Sequence, residues 1–448
     1  MVVSNWLTMA DPVHGLIQFN RGNLDHRLLL EVINSFPFQR LRRIRQMGLA
    51  EFVFPGATHT RFMHCIGATW LTVQCLEHLK QDPKLSQILA EPIGDTDIST
   101  ETVLLIAVLL HDIGHPPLSH TLEYALALDK ADALHDAYWN QRIIESAEDF
   151  KSIWERYAPK MPEAIEQFMG GGGHKKHFLA DLVSSQLDMD RLDYLVRDSH
   201  YLGVQYGRVE TQRLLNSLTI SQLTPSGETV LALKEEALPG LEHYLFGRHQ
   251  AYKMASHTLD KASEMLLKKT IQRFAELVDE KHPDASEKVL MVRLMKDPKS
   301  LSVEEYLHMD DGYLWELIKY WANSAKDPIL KKLASRLLRH DLYKVIELNP
   351  YVERDPSILD TVIEKLQNHA QGEGIPETYC FEIETISSRH FYQRDGRPIW
   401  IQRKHGPVVE FSELSSFAAA PKQPDRHLLF VSDRVAKVIA RSILDGIH

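Results

Sequence analysis

Length, composition and charge restrict the classes of protein to which this chain can belong. The chain has 448 residues, of which 44% are hydrophobic and 25% are charged, as is typical of a folded globular protein with one large domain and smaller additions. Its formal net charge of −10 argues against binding to nucleic acid by overall charge. The cysteines show no CxxC spacing, and no apolar run reaches the roughly 20 residues that span a bilayer, so we expect a cytoplasmic protein with reduced thiols and no membrane partner.

The N-terminal region contains a turn motif followed by an arginine-rich stretch. Residues 11–15, DPVHG, are typical of a turn, and we interpret His14 as a structural loop residue rather than a ligand. In the stretch 36–48, apolar residues recur every three positions before a glycine, which predicts an amphipathic helix. Its arginines could contact phosphates, although a solvated face is the usual interpretation of such a run.

The stretch 57–64, ATHTRFMH, precedes a helical pattern at 66–79. Histidines and an arginine at the start of a helix lie where free backbone N–H groups favour anions. A lone histidine is usually structural, so His64 becomes a candidate metal ligand only if other ligands lie elsewhere in the chain.

The central stretch is 104–120, LLIAVLLHDIGHPPLSH. Its apolar run is continuous rather than confined to one stripe, so we expect a fully buried helix. His111 and Asp112 follow at the inner end of this helix, where an unpaired carboxylate would be costly and a divalent metal would neutralise it. In helical geometry His111, Asp112 and His115 could face one cavity.

Two further histidines, His120 and His135, fall in segments that are also predicted to be helical. The usual role of a buried histidine is a hydrogen-bonded place in the core. Four histidines within about 25 residues, beside an aspartate and an apolar wall, favour a functional site instead.

The stretch 178–198, FLADLVSSQLDMDRLDYLVRD, predicts one long helix. Four polar side chains fall at positions i, i+4, i+7 and i+8, on one stripe of this helix: Asp190, Tyr194, Arg197 and Asp198. In isolation, this stripe would be interpreted as an exposed, ion-paired face, with Asp193 bound to Arg197 for instance. The alternative is that the stripe lines a cavity.

Together these residues resemble a known family. His64, His111, Asp112 and Asp190 match the H…HD…D pattern of the HD-domain phosphohydrolases. The flanking sequence is similar to that of the HD-domain deoxynucleoside triphosphate triphosphohydrolases, both the animal enzymes with a sterile alpha motif and their bacterial relatives. The blocks that carry the resemblance are FQRLRRIRQMG, FVFPGATHTRFMH, LLHDIGHPPLSH and LDMDRLDYLVRDSHYLGVQ.

The resemblance implies roles for individual residues. One divalent transition metal, which could be Mn, Fe, Zn, Co or Ni, would be held by His64, His111, Asp112 and Asp190. The histidines that serve the chemistry would be His115, His120 and His135. The substrate would be bound by Gln46, Met47, Arg61, Arg191, Tyr194, Asp198 and Arg248. After Arg248 the sequence departs from the family pattern RxxxxxxxYxHK, because Ser256, Thr258 and Leu259 stand at its Tyr, His and Lys positions.

The resemblance also implies an activity, with alternatives. It predicts hydrolysis of a dNTP to a deoxynucleoside and inorganic triphosphate, by a homo-oligomer and with Mg²⁺ as a further ion on the nucleotide phosphates. Another nucleotide or phosphate ester is the alternative substrate. A regulatory or nucleic-acid-binding protein with a mainly structural metal site is the alternative from another class, although a structural site needs no extra histidines.

The predicted fold is mainly α, with an HD-domain helical core and a small C-terminal α+β appendage. We expect a catalytic core at 1–290, a helical extension at 291–375 and the α+β region at 376–448. In the extension, helices are predicted at 301–307 and 311–323, and Asp310 and Asp311 are interpreted as acidic residues without partners. In the C-terminal region, the sequence predicts strands at 379–386, 398–403 and 427–431 and a helix at 433–443.

Overall fold

A computed structural model of the chain describes residues 5–126, 136–170, 177–255, 257–286, 289–388, 390–393, 398–419, 422 and 424–447. Within these ranges the protein is mainly helical and has three small sheets, which confirms the predicted fold class. Among the described residues, none of the helices combines the length and the apolar character that crossing a membrane requires.

The first half of the chain is mostly helical after an N-terminal hairpin. In chain order, the helices and strands up to residue 217 are β1 (Trp6–Asp11), β2 (Gly15–Asn20), α1 (Leu24–Asn34), α2 (Phe36–Arg40), α3 (Arg61–Leu79), α4 (Pro83–Ala90), α5 (Thr100–Leu110), α6 (His120–Leu126), α7 (Asp136–Ser146), α8 (Glu148–Tyr157), α9 (Met161–Met169), α10 (Met189–Leu202) and α11 (Thr211–Ser217).

The second half mixes helices with short strands. After residue 217 the elements are β3 (Leu218–Gln222), β4 (Thr229–Lys234), α12 (Leu238–Ala255), α13 (Thr258–Asp279), α14 (Leu290–Lys296), α15 (Val303–Leu307), α16 (Asp311–Ser324), α17 (Pro328–Leu338), β5 (Lys344–Glu347), α18 (Asn349–Val352), α19 (Ile358–Glu373), α20 (Glu377–Cys380), β6 (Phe381–Ile386), β7 (Trp400–Gln402), β8 (Val408–Glu410), β9 (Arg426–Val431) and α21 (Arg434–Leu444).

The three sheets are small and mostly antiparallel. Strands β1 and β2 form a hairpin in which Asp11 pairs with Gly15. The second sheet has the order β3-β4-β7-β8, and only β4 and β7 run parallel. The third has the order β5-β9-β6. The C-terminal strands therefore pair with strands of the predicted catalytic core and of the predicted helical extension. The limits of the three regions, 1–290, 291–375 and 376–448, stay a prediction.

Helix α5 is the buried helix that the apolar run predicts. Every side chain from Thr102 to Leu110 is buried. Ser99 caps the helix by accepting a hydrogen bond from the backbone N–H of Thr102. Helix α5 packs against α3 and α9, and α3 packs against α10. Because an all-apolar helix must be covered on every side, its C-terminal end delivers His111 and Asp112 into the interior of the protein.

The predicted helix at 36–48 is wrong in its length. Helix α2 ends at Arg40, and after a single 3₁₀ turn Arg45 forms a β-bridge with Thr60. The backbone N–H of Arg45 donates to a carboxylate oxygen of Asp311 instead of to a carbonyl one turn back. Tertiary hydrogen bonds therefore replace the helical ones in this stretch.

The predicted helix at 178–198 is also shorter than expected. A 3₁₀ helix at Phe178–Leu182 comes first, and α10 begins only at Met189. The Asp188 carboxylate accepts hydrogen bonds from the backbone N–H groups of Ser185 and Arg191, both at 2.7 Å. Because such local side-chain bonds compete with helical ones, Asp188 becomes the N-cap rather than an interior residue.

The interpretation of Asp310 and Asp311 as acidic residues without partners is wrong. Asp310 forms an ion pair with Arg43 and caps α16 through the backbone N–H of Tyr313. Asp311 accepts hydrogen bonds from the backbone N–H groups of Arg45 and Leu118. The partners Arg43, Arg45 and Leu118 are distant in sequence, so no local pattern could reveal them.

Most of the predicted C-terminal elements are present with shifted limits. The helices predicted at 301–307 and 311–323 correspond to α15 and α16. The strand predicted at 379–386 begins only at Phe381, because the short helix α20 precedes it. The helix predicted at 433–443 is α21, whose N-cap is Asp433.

Candidate active site

Three ligand atoms from three separate helical segments meet at the inner end of α5. Nε2 of His64, on α3, lies 3.2 Å from Nε2 of His111, which follows α5. Oδ1 of Asp190, in the first turn of α10, lies 3.1 Å from Nε2 of His64 and 3.6 Å from Nε2 of His111. The packing of α3 against α5 and α10 thus gathers residues that are far apart in sequence.

Asp112 lies at the edge of this cluster. Its Oδ2 is 3.6 Å from Nε2 of His64, and its Oδ1 is 3.5 Å from Nε2 of His111. The same carboxylate forms an ion pair with Arg61 and lies 3.1 Å from Nε2 of His115. The predicted ligands are therefore together, with His64, His111 and Asp190 close enough to share one ion and Asp112 beside them.

The outer ring nitrogens of both histidines are already hydrogen-bonded. Nδ1 of His64 lies 2.7 Å from Oδ2 of Asp193, and Nδ1 of His111 lies 2.7 Å from the carbonyl oxygen of Val108. Each partner is an acceptor, so each Nδ1 carries a proton, and each Nε2 faces the cluster and offers a lone pair to a metal when the imidazole is neutral. Metal-binding histidines are oriented in this way.

The electrostatics of the cluster favour a cation. Burial lowers the pKa of His64, but the hydrogen bonds with Asp190 and Asp193 outweigh burial and raise this pKa to about 10. Burial raises the pKa of Asp190, whereas the hydrogen bonds with His111 and His64 hold it below its usual range. The carboxylates of Asp190 and Asp193 thus attract positive charge to this cluster. Two imidazoles and carboxylate oxygens fit a divalent metal, which would supply this charge.

Two of the three predicted catalytic histidines lie together beside the cluster. His115 is buried, whereas the side chain of His120, the first residue of α6, is 72% exposed. Their rings are in edge-to-face contact with centroids 4.8 Å apart. Burial, followed by the charge of Arg61, lowers the pKa of His115. His135 lies outside the described residues.

Glu123 is a site residue that the sequence analysis missed. Its Oε2 lies 2.6 Å from Nδ1 of His120, one helical turn away. His115, His120 and Glu123 also form a second group whose potential ligand atoms lie within 4.8 Å of one another. The sequence feature that could have identified Glu123 is the i, i+3 spacing between His120 and this carboxylate.

A cavity of about 1410 Å³ joins these groups. His111, Asp112, Asp190, His115 and His120 line it. So do most of the residues predicted to bind substrate, namely Gln46, Met47, Arg61, Arg191, Tyr194 and Asp198. Three of the four residues of the polar stripe on α10, Asp190, Tyr194 and Asp198, therefore line a cavity, as the alternative interpretation of that stripe required.

Arg248 is not among the described residues that line the cavity. It is buried, and its guanidinium donates to the carbonyl oxygens of Gln186 at 3.0 Å and Phe391 at 2.7 Å. Arg191, by contrast, lies at the wall beside Asp190 and donates to the hydroxyl of Tyr252 at 3.1 Å. Of these two arginines, the structure brings Arg191 to the cavity.

Arg197 also lies away from the cavity, which corrects the interpretation of this part of α10. Asp193 and Arg197 do form the expected ion pair, at 2.8 and 2.9 Å, but both are fully buried rather than exposed. Arg197 also reaches Asp11 at 2.8 Å, and Nε2 of His14 lies 2.6 Å from Oδ1 of Asp193. The DPVHG turn thus lies behind the candidate metal cluster, and His14 has the structural role that we expect from the sequence.

Some of the cavity wall carried no sequence signal. His249 is 6% exposed, and neither of its ring nitrogens has a hydrogen-bond partner within the described residues. Asp260 and Glu264, on α13, line the same cavity, and Glu264 forms an ion pair with Lys261 at 2.6 Å. These residues meet the cluster only through tertiary packing.

Comparisons with known proteins place this geometry among phosphohydrolases. No family model matches the chain. The chain is 26% identical over 436 residues to the uncharacterised protein YwfO of Bacillus subtilis, across 95% of this chain and 92% of that protein. It is 33% identical over 232 residues to the human deoxynucleoside triphosphate triphosphohydrolase SAMHD1, across 45% of this chain and 34% of that enzyme. A crystal structure of a phosphohydrolase from Bacteroides thetaiotaomicron matches with a TM-score of 0.75 at 26% identity, across 96% of this chain and 100% of that one.

Fold and site together define a hydrolase of the HD type. The resemblance of this chain to the HD-domain phosphohydrolase superfamily is confirmed, and the cluster with the comparisons supports a metal-dependent phosphohydrolase. The similarity spans about a third of the length of SAMHD1, so this similarity alone does not assign the substrate of that enzyme to this chain.

Proposed function

We propose that the protein hydrolyses dNTPs at the α-phosphorus and releases a deoxynucleoside and inorganic triphosphate. The observation that carries this proposal is that one cavity is lined by His111, Asp112 and Asp190 of the candidate metal cluster and by the His115–His120 pair. The same cavity is lined by Gln46, Met47, Arg61, Arg191, Tyr194 and Asp198. The similarity to an enzyme named as a deoxynucleoside triphosphate triphosphohydrolase supports it.

The residues of the cluster would hold the metal and orient the substrate. His64, His111, Asp112 and Asp190 would bind one divalent transition metal. Such an ion lowers the pKa of a bound water towards about 7 and offsets charge on phosphoryl oxygens. Arg61 keeps Asp112 ionised by their ion pair, and Arg191 presents a fixed cation beside Asp190 for the phosphates.

The reaction consumes one water molecule. The water oxygen joins the α-phosphorus, the bond from phosphorus to the 5′ oxygen breaks, and triphosphate leaves with the new oxygen. The 5′ oxygen must take up a proton, and an imidazole suits this step near neutral pH. We assign this proton to His120, because it lines the cavity and its Nδ1 lies 2.6 Å from Oε2 of Glu123, which orients the ring. His115 and His135 are the alternative donors.

Product analysis tests the proposal. Purified protein would be incubated with each dNTP and NTP in the presence of Mn, Fe, Co or Mg, and nucleoside, monophosphate and triphosphate would be resolved. We expect deoxynucleoside and triphosphate, and we expect hydrolysis to be lost in Asp112→Ala and Asp190→Ala variants that remain folded. Full activity in either variant would contradict the metal assignment. Absence of turnover with every nucleotide would favour a regulatory or nucleic-acid-binding protein.

A second candidate is hydrolysis of another nucleotide or phosphate ester. The acidic side chains of Asp260 and Glu264 in the cavity wall favour it, because an ionised carboxylate repels the distal phosphates of a nucleotide, and the pKa of Asp260 is raised to about 7, so that this carboxyl group is ionised only above that pH. Thr258 and Leu259 also stand where the family pattern has His and Lys. Faster turnover of a nucleoside monophosphate or a simple phosphodiester than of any dNTP would select this candidate.

We further propose that the enzyme works as a cytoplasmic homo-oligomer. The family resemblance supports the oligomer, and the unpaired, buried cysteines are consistent with a reducing compartment. Light scattering coupled to size-exclusion chromatography measures the mass directly, and a mass of one 51.4 kDa chain would contradict the oligomer.

A further inference from the structure

Asp311 joins two segments of the chain that both form walls of the cavity. One of its carboxylate oxygens accepts a hydrogen bond from the backbone N–H of Arg45 at 2.8 Å, and the other accepts one from the backbone N–H of Leu118 at 2.7 Å. The Asp311 residue is 8% exposed and is not among the described residues that line the cavity. It therefore acts from behind the walls.

The two segments carry the groups that the proposed reaction needs. The first continues from Arg45 into Gln46 and Met47, which line the cavity. The second contains His115 and runs from Leu118 into His120, the proposed proton donor. Asp311 thus fixes the main chain next to residues for substrate binding on one side and for proton transfer on the other.

The second segment adopts a backbone conformation that needs support. Leu118 and Ser119 have φ angles of 54° and 52°, in the left-handed region that residues other than glycine rarely adopt. The hydrogen bond from the Leu118 N–H to Asp311 holds the first of them. The Ser119 hydroxyl donates to the carbonyl of Arg45 at 2.7 Å and accepts from Nε of Arg61 at 2.7 Å, which holds the second.

The two segments are in direct contact. Gly48 has a φ of 53°, and a Cβ at this position would lie 2.8 Å from the carbonyl oxygen of Leu118 and would overlap the hydroxyl of Thr121. A small shift of either segment would therefore be transmitted to the other, because their atoms are already in close contact at this point.

Residues next to Asp311 strengthen the same junction. Nη2 of the fully buried Arg40 donates to the carbonyl oxygens of Met309 at 2.7 Å and His115 at 2.9 Å. The hydroxyl of Tyr306 donates to the carbonyl of Gly114 at 2.6 Å. The chain from Tyr306 to Asp311 thus holds the main chain around His115 as well as that around His120.

We propose that Asp311 is a positioning residue, which sets the spacing between the wall that carries Gln46 and the wall that carries His115 and His120. Its carboxylate does not line the cavity and, among the described residues, is not hydrogen-bonded to a candidate metal ligand. The inference rests on the proposed function only because hydrolysis is one of its two readouts.

The variants Asp311→Asn and Asp311→Ala test the proposal. The amide of Asn keeps one acceptor oxygen and turns a donor towards the other N–H group, so one bond is lost, whereas Ala loses both. We expect kcat to fall by roughly 10-fold to 100-fold, more in Ala than in Asn, as small misplacements of reacting groups produce. Metal content should be unchanged, because no described metal ligand contacts Asp311.

Asp327→Asn is the matched control. Asp327 is also buried, caps α17 through the backbone N–H of Leu330 at 2.7 Å and forms an ion pair with Arg273. It is not among the described residues that line the cavity. We expect this variant to lose thermal stability and to keep its kcat. A kcat of Asp311→Asn within about twofold of the wild type, or an equal kcat loss in Asp327→Asn, would overturn the proposal.

Two further measurements separate this proposal from the proposed function. Turnover of bis(p-nitrophenyl) phosphate with Mn²⁺, but not of dNTPs, would contradict the dNTP substrate while leaving the comparison of variants intact. Amide hydrogen exchange needs no turnover, and we expect faster exchange in peptides that cover 115–121 and 45–48 of Asp311→Asn. Unchanged exchange in both peptides would overturn the proposal.

Discussion

Nδ1 of His64 lies 2.7 Å from Oδ2 of Asp193, so a carboxylate on α10 orients a candidate metal ligand on α3. The same helix carries Asp190, whose Oδ1 faces the other nitrogen of His64 at 3.1 Å. One helix therefore supplies both a ligand and the support of a second ligand. The ligand set depends on the relative position of α3 and α10.

Asp193→Asn should weaken metal binding. The amide can still approach Nδ1 of His64 but no longer provides the charge that makes the imidazole a stronger ligand. Loss of such a supporting carboxylate typically lowers metal affinity by about 10-fold to 100-fold. Competition with a chelator of known affinity, followed by metal analysis of the folded protein, measures the change.

Arg197→Lys is the control for Asp193→Asn. Removing one member of a buried ion pair costs about 3 to 5 kcal/mol, so Asp193→Asn is also expected to lower stability. Arg197→Lys weakens the same pair but leaves Asp193 in contact with His64. It should lower the melting temperature with little change in metal affinity. Equal losses of metal affinity in both variants would contradict a specific role for Asp193.

The candidate metal ligands were named from the sequence in two ways, His111 and Asp112 from a local motif and His64 and Asp190 from the family resemblance, and the structure brings all of them together. The apolar run before His111 predicted a buried helix, and α5 is that helix. The buried carboxylate of Asp112 at the end of this helix needs a positive charge nearby, and a metal held jointly with His64 and Asp190 could supply it. The burial of His111 and Asp112 follows from their neighbours in sequence, whereas His64 and Asp190 reach them only through the packing of α3 and α10.

The supporting residues could not be predicted, because their partners are distant in sequence. The RLDYLVR pattern around Asp193 looked like an exposed ion pair with Arg197, and only the packing of α10 against α3 buries it. Asp311 looked unpartnered because its partners, Arg45 and Leu118, belong to other regions. The early end of α2 at Arg40 has the same origin.

His120→Gln should impair the proposed reaction in proportion to the basicity of the leaving group. A general acid contributes about 100-fold to 10,000-fold when the leaving oxygen is strongly basic, as the 5′ oxygen of a nucleoside is. We expect a loss of that order with dNTPs and a much smaller loss with bis(p-nitrophenyl) phosphate, whose leaving group departs without a proton. Steady-state kcat values for both substrates measure this difference.

Glu123→Gln provides a graded comparison for His120→Gln. The amide keeps a hydrogen-bond acceptor near Nδ1 of His120 but removes the negative charge beside the ring. A smaller loss in kcat, with the same dependence on the leaving group, is expected. Equal losses with both substrates in the two variants would indicate that His120 acts by structure rather than by proton transfer.

Asp260→Asn should remove a pH dependence of stability. Burial, followed by the charge of Glu264, raises the pKa of Asp260 to about 7, whereas Lys261 lowers it. The folded-state pKa of Asp260 lies above the value of 3.8 for an unperturbed aspartate, so the folded protein binds this proton more tightly than the unfolded chain does. The free energy of unfolding therefore falls as the pH rises from about 3.8 towards 7. Between about pH 5 and pH 8 the wild type should lose roughly 3 kcal/mol from this group.

Denaturant unfolding at both pH values measures this contribution. Asp260→Asn cannot ionise at this position, so its free energy of unfolding should fall less between the two pH values than that of the wild type. Parallel pH profiles for the two proteins would show that Asp260 keeps an ordinary pKa.

Gly67→Ala should disturb both stability and metal binding, because Gly67 is where α3 closely approaches α10. A Cβ at residue 67 would overlap the Asp193 carboxylate and the Arg197 guanidinium, so one of the helices must move. Overpacking of a buried site costs about 1 to 3 kcal/mol. Because His64 and Asp190 lie on these two helices, the same shift would separate the candidate metal ligands.

Gly372→Ala, on α19, is the matched control, because nothing lies within 4 Å of its Cβ position and alanine favours helix. Thermal unfolding with and without Mn²⁺ should give a smaller metal-induced rise in melting temperature for Gly67→Ala than for the wild type and an unchanged rise for Gly372→Ala. An unchanged rise in Gly67→Ala would mean that the ligand set does not depend on the contact between α3 and α10.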